Sequence, residues 1–369
     1  MMFDRRLAKN FHWGLLAVTL VLAAMGVVTL YSAVNADAAT APSRLHLKQM
    51  IWYAMGLGAM IAGFTVNYKT LERWAPVLYG LCVLMLVAVL VMGKTAGGSR
   101  RWLALGPVFV QPSELAKIVV ALMLARHYAK EVTTRGFVLQ ELIWPMAITG
   151  LPFFLIVRQP DLGTAMLVLL IALSMTFFVK IERRTTIGIF AFGAVALPVV
   201  WHFFLKGYQK QRILTFLDPG RDPLGAGYHI IQSKIAIGSG MLTGKGFLQG
   251  TQNALSFLPE QHTDFIFSVM AEEWGFAGGM VLLVVFLLLI VWGLNVAAES
   301  REPFGIILAV GLTAMIFWHV TINIGMVMGL MPVVGVPLPF VSYGGSSLMT
   351  TMLCVGLLIN IRMRRFVAD

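Results

Sequence analysis

Charged residues are scarce in this chain. They make up 12% of its 369 residues, whereas hydrophobic residues make up 58%. Mean hydropathy is +0.82, and the stretch 303–361 contains no Asp, Glu, Lys or Arg. A water-soluble domain cannot bury that much apolar surface, so the composition predicts an all-α polytopic membrane protein.

Cysteine and the common catalytic motifs are also scarce. The two cysteines, Cys82 and Cys354, lie inside apolar runs, which excludes a disulfide framework. No zinc-ligand spacing and no G-x-S-x-G nucleophile elbow occur. The Gly-rich run 238–246 is not a P-loop, because only three residues separate Gly240 from Gly244 and Gly246 replaces the Ser/Thr.

The apolar runs predict one membrane domain over residues 1–369 with about ten spans of roughly 20 residues. The first run is too long for a signal-peptide core, so we interpret it as a retained span. The region after residue 331 holds several Pro and Gly residues, and it predicts a loop between two helices that re-enters the membrane. The predicted spans are 12–32, 49–66, 74–92, 113–128, 142–157, 162–179, 186–205, 265–294, 304–323 and 346–361.

The distribution of Lys and Arg predicts the orientation. With the N-terminus inside, inner segments carry fifteen Lys and Arg residues and the short outer loops carry six. This asymmetry places both termini in the cytoplasm. The net charge of +11 is spread between the spans rather than gathered in one patch, which argues against a nucleic-acid partner.

A polar segment, residues 206–263, interrupts the apolar pattern and would lie outside the membrane. It is rich in Gly, Lys, Arg, Gln and His, and it ends at Asp264 where the next span begins. A carboxylate delivered to the membrane surface beside several cations favours chemistry on a lipid-linked anionic substrate.

Asp264 has two interpretations. It could be the N-cap of the eighth span, since a carboxylate accepts backbone N–H bonds there. It could instead be a general base at the membrane surface. His262, two residues away, could be the base, or it could be an ordinary residue of the turn.

Two further groups of ionisable residues lie inside apolar spans, where charges are costly. Glu272 lies nearer than Glu273 to the helix face of Asp264, and Glu273 fits a buried structural role. Glu114 and Lys117 are spaced at i, i+3, so they could neutralise each other as a structural ion pair or line a polar cavity.

Other cations suit pyrophosphate binding. Arg101 follows the run Gly97-Gly98-Ser99-Arg100, which suits a phosphate clamp or an interfacial anchor. Arg212 and Lys245 in the polar segment are weaker candidates, and the Gly-rich backbone around Lys245 could cradle pyrophosphate.

Two predicted helix starts also carry polar residues. The run beginning at Ser342 precedes the last helix, whose N–H groups could bind an anion or allow tight packing. Asp161, after a proline, is most simply the N-cap of the sixth span.

Several motifs together resemble the shape, elongation, division and sporulation family. They occur in the family's order and cover most of the chain, and the Gly-Tyr-His-Ile-Ile-Gln-Ser run is more like the family's elongation members than its division members. Met241 stands where relatives often carry Gly. The motifs are 98–103, 111–117, 159–164, 222–246, 257–265 and 332–339.

The resemblance implies a peptidoglycan glycosyltransferase that polymerises lipid II outside the cytoplasmic membrane. The family's essential aspartate maps onto Asp264, its fourth-span Glu and Lys onto Glu114 and Lys117, and its loop arginine onto Arg101. The implied partners are a class B penicillin-binding protein, lipid II with the undecaprenyl-pyrophosphate-linked glycan, and elongation-complex membrane proteins. A divalent cation, Mg²⁺ or Mn²⁺, could assist, although the sequence shows no dedicated cage for one.

The mechanistic hypothesis is an inverting transfer, with Asp264 as base and with Arg101 and Lys117 neutralising the leaving pyrophosphate. Two alternatives stay open from the sequence: a lipid II flippase, since buried charges and a broken C-terminal segment also fit a transporter, and a non-catalytic activator of the penicillin-binding protein.

Overall fold

The computed structural model describes residues 10–35, 44–96, 99–105, 108–131, 136–205, 207–222, 225–255 and 261–365. Gly97 and Gly98, which belong to the predicted clamp, lie outside the described residues, as do both chain ends. The helices are numbered in chain order: α1 Trp13–Asn35, α2 Leu45–Thr65, α3 Tyr68–Met92, α4 Pro112–Lys130, α5 Ile143–Arg158, α6 Leu162–Phe178, α7 Arg183–Val199, α8 Gly207–Leu217, α9 Ala226–Ser239, α10 Thr251–Ala254, α11 Ile266–Glu299, α12 Pro303–Val327 and α13 Gly345–Met363.

The predicted fold class, an all-α polytopic membrane protein, is confirmed. Within the described residues, six helices are long and apolar enough to cross a membrane: α1, α3, α7 with the π-helical turn Val200–Phe204 that follows it, α11, α12 and α13. The helices α5 and α6 are apolar but shorter. The count of ten spans stays a prediction.

The charge-free stretch forms the centre of the bundle. α12 and α13 are the most buried of the six long apolar helices. α13 packs along α2, and α12 packs against α4, α6 and α11. Protein rather than lipid therefore surrounds much of this stretch, so its few polar side chains can find partners inside the bundle.

The polar segment 206–263 contains more helix than the sequence predicted. α9 packs against α11 and α12, and it buries Ile230, Ser233 and Ala236, which are 2%, 0% and 1% exposed. Their three-residue spacing places them on one helix face. The Ser233 hydroxyl contacts that of Ser268 at 2.8 Å and donates to the Val327 carbonyl at 2.6 Å. This part of the segment is therefore a helix packed into the bundle rather than a loop.

A small antiparallel sheet precedes α4. Its strands are β1 Lys94–Ala96, β2 Ser99–Leu105 and β3 Val108–Val110, in the order β1-β2-β3. The sequence analysis did not predict this sheet. Its three strands are short, and the long apolar runs on either side dominate the hydrophobic pattern there. The sheet matters here because β2 carries Arg101.

The long helix α11 is kinked at Gly275, whose φ of 64° and ψ of −162° interrupt the helix. The Gly-rich run 241–246 lies against this kink and bonds to both sides of it. Lys245 and Gly246 donate their backbone N–H groups to the carbonyls of Glu272 and Glu273, and the Met241 and Leu242 carbonyls accept from the amides of Phe276 and Ala277. The run thus satisfies the backbone groups that the kink releases.

The predicted pair of helices joined by an irregular segment is present, as α12 and α13 with residues 328–344 between them. Val336, Leu338, Phe340 and Val341 in this segment are buried. Side chains from α2 satisfy its backbone: Gln49 donates to the Ser342 carbonyl at 3.1 Å, and the Tyr53 hydroxyl donates to the Phe340 carbonyl. Irregular backbone in the interior of the bundle is stable because surrounding side chains bury it and form hydrogen bonds with it.

Candidate functional site

Asp264 lies in the turn that leads into α11 and is partly buried. The helix begins at Ile266, and its N-cap is Phe265, whose side chain makes no capping hydrogen bond. Asp264 therefore lies one residue before the N-cap position that the first of its two interpretations assigned to it.

Three consecutive carbonyls of this turn are bonded to the C-terminal part of the chain. The Asn323 side chain donates to the Asp264 carbonyl at 2.9 Å and also to the Val336 carbonyl at 2.7 Å. The Ser342 hydroxyl donates to the Thr263 carbonyl at 2.6 Å, and the Tyr343 amide donates to the His262 carbonyl at 2.9 Å. The position of Asp264 is thus set by α12 and by the irregular segment after it.

The sequence predicts an anion site at the helix start that follows Ser342. In the structure, the Ser342 hydroxyl is already hydrogen-bonded to other residues of the protein. It donates to Thr263 and accepts from the Leu338 amide at 2.8 Å. His262 lies in the same turn, with its ring 6.1 Å from that of Tyr343. The structure therefore brings Asp264, His262 and Ser342 together, with Ser342 as the residue that holds the turn.

Gly335 makes room for the carboxylate of Asp264. A Cβ placed on Gly335 would lie 3.1 Å from Asp264 Oδ2, and the φ of Gly335 is 71°. Only glycine adopts this conformation without strain, and only glycine lets the backbone approach so closely. Gly335 thus forms one wall beside the carboxylate.

Glu114 and Lys117 form the predicted ion pair on α4, with 2.8 Å between Lys117 Nζ and Glu114 Oε2. Both side chains are almost completely buried. Lys117 Nζ also lies 2.8 Å from Nε2 of His319 on α12. His319 is a residue that the sequence analysis missed, because a single histidine in an apolar helix, 202 positions from its partner, gives no local signal.

One face of α12 serves both groups. His319 and Asn323 are four residues apart, so they lie on the same side of the helix, about 6 Å apart along its axis. His319 contacts the ammonium of Lys117, and Asn323 holds the turn of Asp264. The buried cation on α4 and the turn that carries the candidate base are therefore both bonded to neighbouring turns of α12.

Arg101 is bonded to the start of α6. Its guanidinium donates to the Pro160 carbonyl and lies 3.8 Å from Asp161 Oδ1. Asp161 is the predicted N-cap and accepts from the Thr164 amide at 3.3 Å, which confirms that assignment. Gln111 and Ser113 also donate to the Asp161 carboxylate. Arg101 thus attaches the sheet to the bundle, and its side chain stays about one-third exposed.

Lys245 is paired with Glu272 rather than aimed at solvent. Lys245 Nζ lies 2.7 Å from Glu272 Oε1, which also accepts from the Thr251 hydroxyl and the Gln252 amide. These contacts direct Glu272 toward residues 245–252, whereas the turn of Asp264 is bonded to α12 and residues 336–343. The supporting role predicted for Glu272 therefore stays a prediction, and its bonded partners are Lys245, Thr251 and Gln252.

The Gly-rich backbone around Lys245 was expected to cradle pyrophosphate. The amides of Gly244, Lys245 and Gly246 already donate to the carbonyls of Gly240, Glu272 and Glu273. They are therefore not available to an anion, and that expectation is wrong.

Two predicted residues lie apart from these groups. Glu273 is buried on α11 and accepts a hydrogen bond from the Ser32 hydroxyl of α1, which agrees with the structural role predicted for it. Arg212 lies on α8, partly exposed. Neither residue takes part in the contacts that hold the Asp264 turn or Lys117.

Comparison with known proteins identifies a family match over nearly the whole chain. Residues 12–366 match the family model FTSW_RODA_SPOVE, described as cell cycle protein. The chain is 47% identical to the peptidoglycan glycosyltransferase MrdB of Escherichia coli K12 over 312 residues, which is 85% of this chain and 84% of MrdB. It is 33% identical to the peptidoglycan glycosyltransferase RodA of Treponema pallidum, covering 97% and 98% of the two chains.

Solved structures show the same fold. A chain from a peptidoglycan synthase complex, in a study of how polymerization and crosslinking are coordinated, aligns with a TM-score of 0.81 at 34% identity. That alignment covers 96% of this chain and 98% of the other. The rod shape determining protein RodA of Thermus thermophilus aligns with a TM-score of 0.70 at 29% identity, covering 97% and 98%.

Proposed function

The chain belongs to the shape, elongation, division and sporulation family and is a RodA-like peptidoglycan glycosyltransferase of the inner membrane, and we propose that it polymerises lipid II with Asp264 as general base. The family membership supports the type of reaction. The geometry of the site supports the assignment of roles to residues.

The proposed step joins two lipid-linked saccharides. Asp264 takes the proton from the 4-hydroxyl of the GlcNAc of the incoming lipid II. The oxygen then forms a bond to the anomeric carbon of the terminal MurNAc of the growing strand, while the bond from that carbon to the pyrophosphate oxygen breaks. Attack from the opposite face converts the α-linked pyrophosphate into a β-1,4 glycosidic bond, and undecaprenyl pyrophosphate leaves with the bonding electron pair.

The observation that carries the proposal is the way the Asp264 turn is held. The carbonyls of His262, Thr263 and Asp264 are each bonded to α12 or to the segment that follows it. A general base must be held within hydrogen-bond reach of the proton that it removes. Fixing the backbone on both sides of the side chain reduces the orientational freedom lost in the transition state.

The leaving pyrophosphate needs positive charge, and Lys117 is the proposed source. Its ammonium is buried, so its field acts through a medium of low dielectric constant. Arg101 is proposed as a second cation. Its guanidinium is partly exposed and has five N–H donors, so it can contact a phosphate while keeping its bond to Pro160. Arg212 is a weaker candidate for the same role.

A divalent cation, Mg²⁺ or Mn²⁺, would add to this neutralisation by binding the pyrophosphate oxygens. Among the described residues, no three side chains of His, Cys, Asp or Glu meet in a way that could hold a metal ion. No step is therefore assigned to a metal.

The partner proposed for this chain is a class B penicillin-binding protein, which would cross-link the strands as they form, together with other membrane proteins of the elongation complex. The alignment with a chain of a peptidoglycan synthase complex supports this proposal. The proposed orientation, with both termini in the cytoplasm, places Asp264 on the outer face, where the substrate must already be activated because no nucleotide sugars or ATP are present.

The test is polymerisation of purified lipid II by the purified protein with its penicillin-binding partner, whose transpeptidase site is blocked. In detergent there is no bilayer across which to move lipid, so glycan reports covalent chemistry alone. We expect glycan from the wild type and none from Asp264→Ala that is folded and partner-bound. Glycan from both proteins would move the base elsewhere. The absence of glycan from either would favour the flippase or activator hypothesis.

A further inference from the structure

His319 is a buried polar residue to which the reaction described above assigns no role. It is 1% exposed and lies on α12, in the charge-free stretch. Its two ring nitrogens have different partners. Nδ1 lies 2.6 Å from the Met315 carbonyl, one turn earlier on α12, and Nε2 lies 2.8 Å from Lys117 Nζ.

These two contacts determine where the proton of the imidazole lies. A carbonyl oxygen can only accept, so Nδ1 must carry the hydrogen and donate it to Met315. Nε2 then has a lone pair and accepts from the ammonium of Lys117. A second proton on the ring would place two cationic donors 2.8 Å apart in the interior of the bundle, with no acceptor between them. His319 is therefore a neutral acceptor of a hydrogen bond from Lys117.

The arrangement leaves one donor of Lys117 for another partner. An ammonium has three N–H groups. One donates to Glu114 Oε2 and one to His319 Nε2, both at 2.8 Å. Because α4 supplies the first acceptor and α12 supplies the second, the long lysine side chain is held from two helices, and the direction of its third N–H group is set.

We propose that His319 is a positioning residue for the glycosyl transfer, which holds Lys117 so that its remaining N–H is presented to the leaving pyrophosphate. The inference rests on the proposed function, in which Lys117 neutralises that group. In this proposal one face of α12 positions both groups. Asn323 holds the turn of the base, and His319, one turn away, holds the cation.

The competing explanation is an ordinary core histidine that contributes only to stability. Three variants separate the two. His319→Met removes the acceptor at similar volume. His319→Gln keeps an acceptor near the position of Nε2. Thr313→Val is the matched control, because Thr313 is a buried polar residue on the same helix that donates to the Ala309 carbonyl at 2.8 Å, away from Lys117.

The experiment measures kcat and KM for lipid II with the same partner complex. We expect His319→Met to lower kcat about 10- to 100-fold, as misplacement of a catalytic group by about 1 Å does. We expect His319→Gln to recover most of that loss and Thr313→Val to keep the wild-type kcat. Wild-type kcat in His319→Met would overturn the proposal, as would equal losses in His319→Met and His319→Gln.

A second readout does not depend on activity. His319→Met should lower the thermal unfolding temperature of the wild type but leave that of Lys117→Met nearly unchanged, because replacing both partners of a buried hydrogen bond leaves neither unsatisfied. Equal shifts in both backgrounds would show that the two residues are not coupled, which contradicts the proposal. If Lys117→Met polymerised at the wild-type rate while the coupling persisted, the proposed role of Lys117 in the reaction would be refuted. The contact between Lys117 and His319 would still be supported.

Discussion

Asn323 shows how an uncharged residue can hold the turn of the proposed base, Asp264. A side-chain amide has two N–H donors, and both are used here, one on the carbonyl of Asp264 and one on that of Val336. The two acceptors belong to different segments, so one side chain joins the Asp264 turn to the irregular segment that covers it. Because Asn323 is fully buried, water cannot replace these bonds.

Replacing Asn323 with Leu should therefore impair catalysis and stability together. Two buried carbonyls would lose their donor, which costs about 2–3 kcal/mol in the free energy of unfolding. A freed turn should lower kcat about 10- to 100-fold. Denaturation and polymerisation assays on the same preparation measure both effects.

The control for this prediction is Asn360→Leu. Asn360 is also fully buried and donates to the carbonyls of Gly63 and Phe64 at the end of α2, away from Asp264. We expect a comparable loss of stability with an unchanged kcat per folded molecule. An equal fall of kcat in both variants would mean that any loss of stability, rather than movement of Asp264, causes the defect.

Gly335→Ala should displace the carboxylate without removing any hydrogen bond. The added Cβ would meet Asp264 Oδ2 at 3.1 Å, and the φ of 71° would strain an alanine by about 1–2 kcal/mol. Gly136→Ala provides a matched control, since its φ is 90° and the atoms nearest to a Cβ there would lie 3.3 Å away. Both variants should lose similar stability, and only Gly335→Ala should lose activity. Unchanged activity in Gly335→Ala would show that the wall beside Asp264 is not needed.

The residues of the site differ in how visible they are in the sequence. Asp264, Glu114 and Lys117 could be identified because a charge inside or beside an apolar span is energetically costly. Such a residue therefore indicates a functional or structural site. Asn323 and His319 carry no such signal, because their importance comes from contacts with residues 59 and 202 positions away. Such pairings are created by the packing of α12, which composition does not specify.

At the level of elements, the kink in α11 and the Gly-rich run 241–246 form one unit. The kink releases backbone groups on both sides of Gly275, and the run bonds to them in pairs. The turns of the run require left-handed backbone at Gly244 and Gly246, and also at Met241, where φ is 50°. A non-glycine residue with this φ costs stability, so Met241 is the least favourable residue of the unit.

Met241→Gly should therefore stabilise the protein by about 1 kcal/mol, because glycine removes the strain of the left-handed conformation. Leu242→Gly is the matched control. Both side chains are exposed, at 80% and 71%, and both carbonyls accept from α11, but only Met241 has a positive φ. Leu242→Gly should destabilise the protein by about 0.5–1 kcal/mol. If both substitutions destabilised it equally, the strain at Met241 would be refuted.

The elements that the sequence predicted well are those set by long apolar runs. The two helices of the charge-free stretch and the irregular segment between them follow from hydrophobicity and from Pro and Gly. The helix α9 was missed because it lies in a polar segment and buries only one narrow face, through Ile230, Ser233 and Ala236. The kink at Gly275 was missed because a glycine in a helix breaks it only when another segment can bond the released groups.

At the scale of the whole molecule, the distribution of charge predicts both termini in the cytoplasm and residues 206–263 outside. The orientation can be tested with cysteine labelling, since Cys82 and Cys354 are buried, at 2% and 0%, and give little background. Met241→Cys should react with a membrane-impermeant maleimide in intact spheroplasts. Leu139→Cys, at a position 56% exposed, should react only after permeabilisation. The opposite pattern would invert the topology and place Asp264 on the cytoplasmic face.

The most direct test of the account is the polymerisation rate of Asp264→Asn, which keeps the shape of the side chain and removes its basicity. Lipid II, the penicillin-binding partner with its transpeptidase site blocked, and the detergent are held constant, and thermal unfolding confirms an unchanged fold. We predict that kcat falls by at least about 10²-fold, as removal of a general base does, with the KM for lipid II nearly unchanged. A variant with a kcat close to that of the wild type would contradict the assignment of Asp264 as the base.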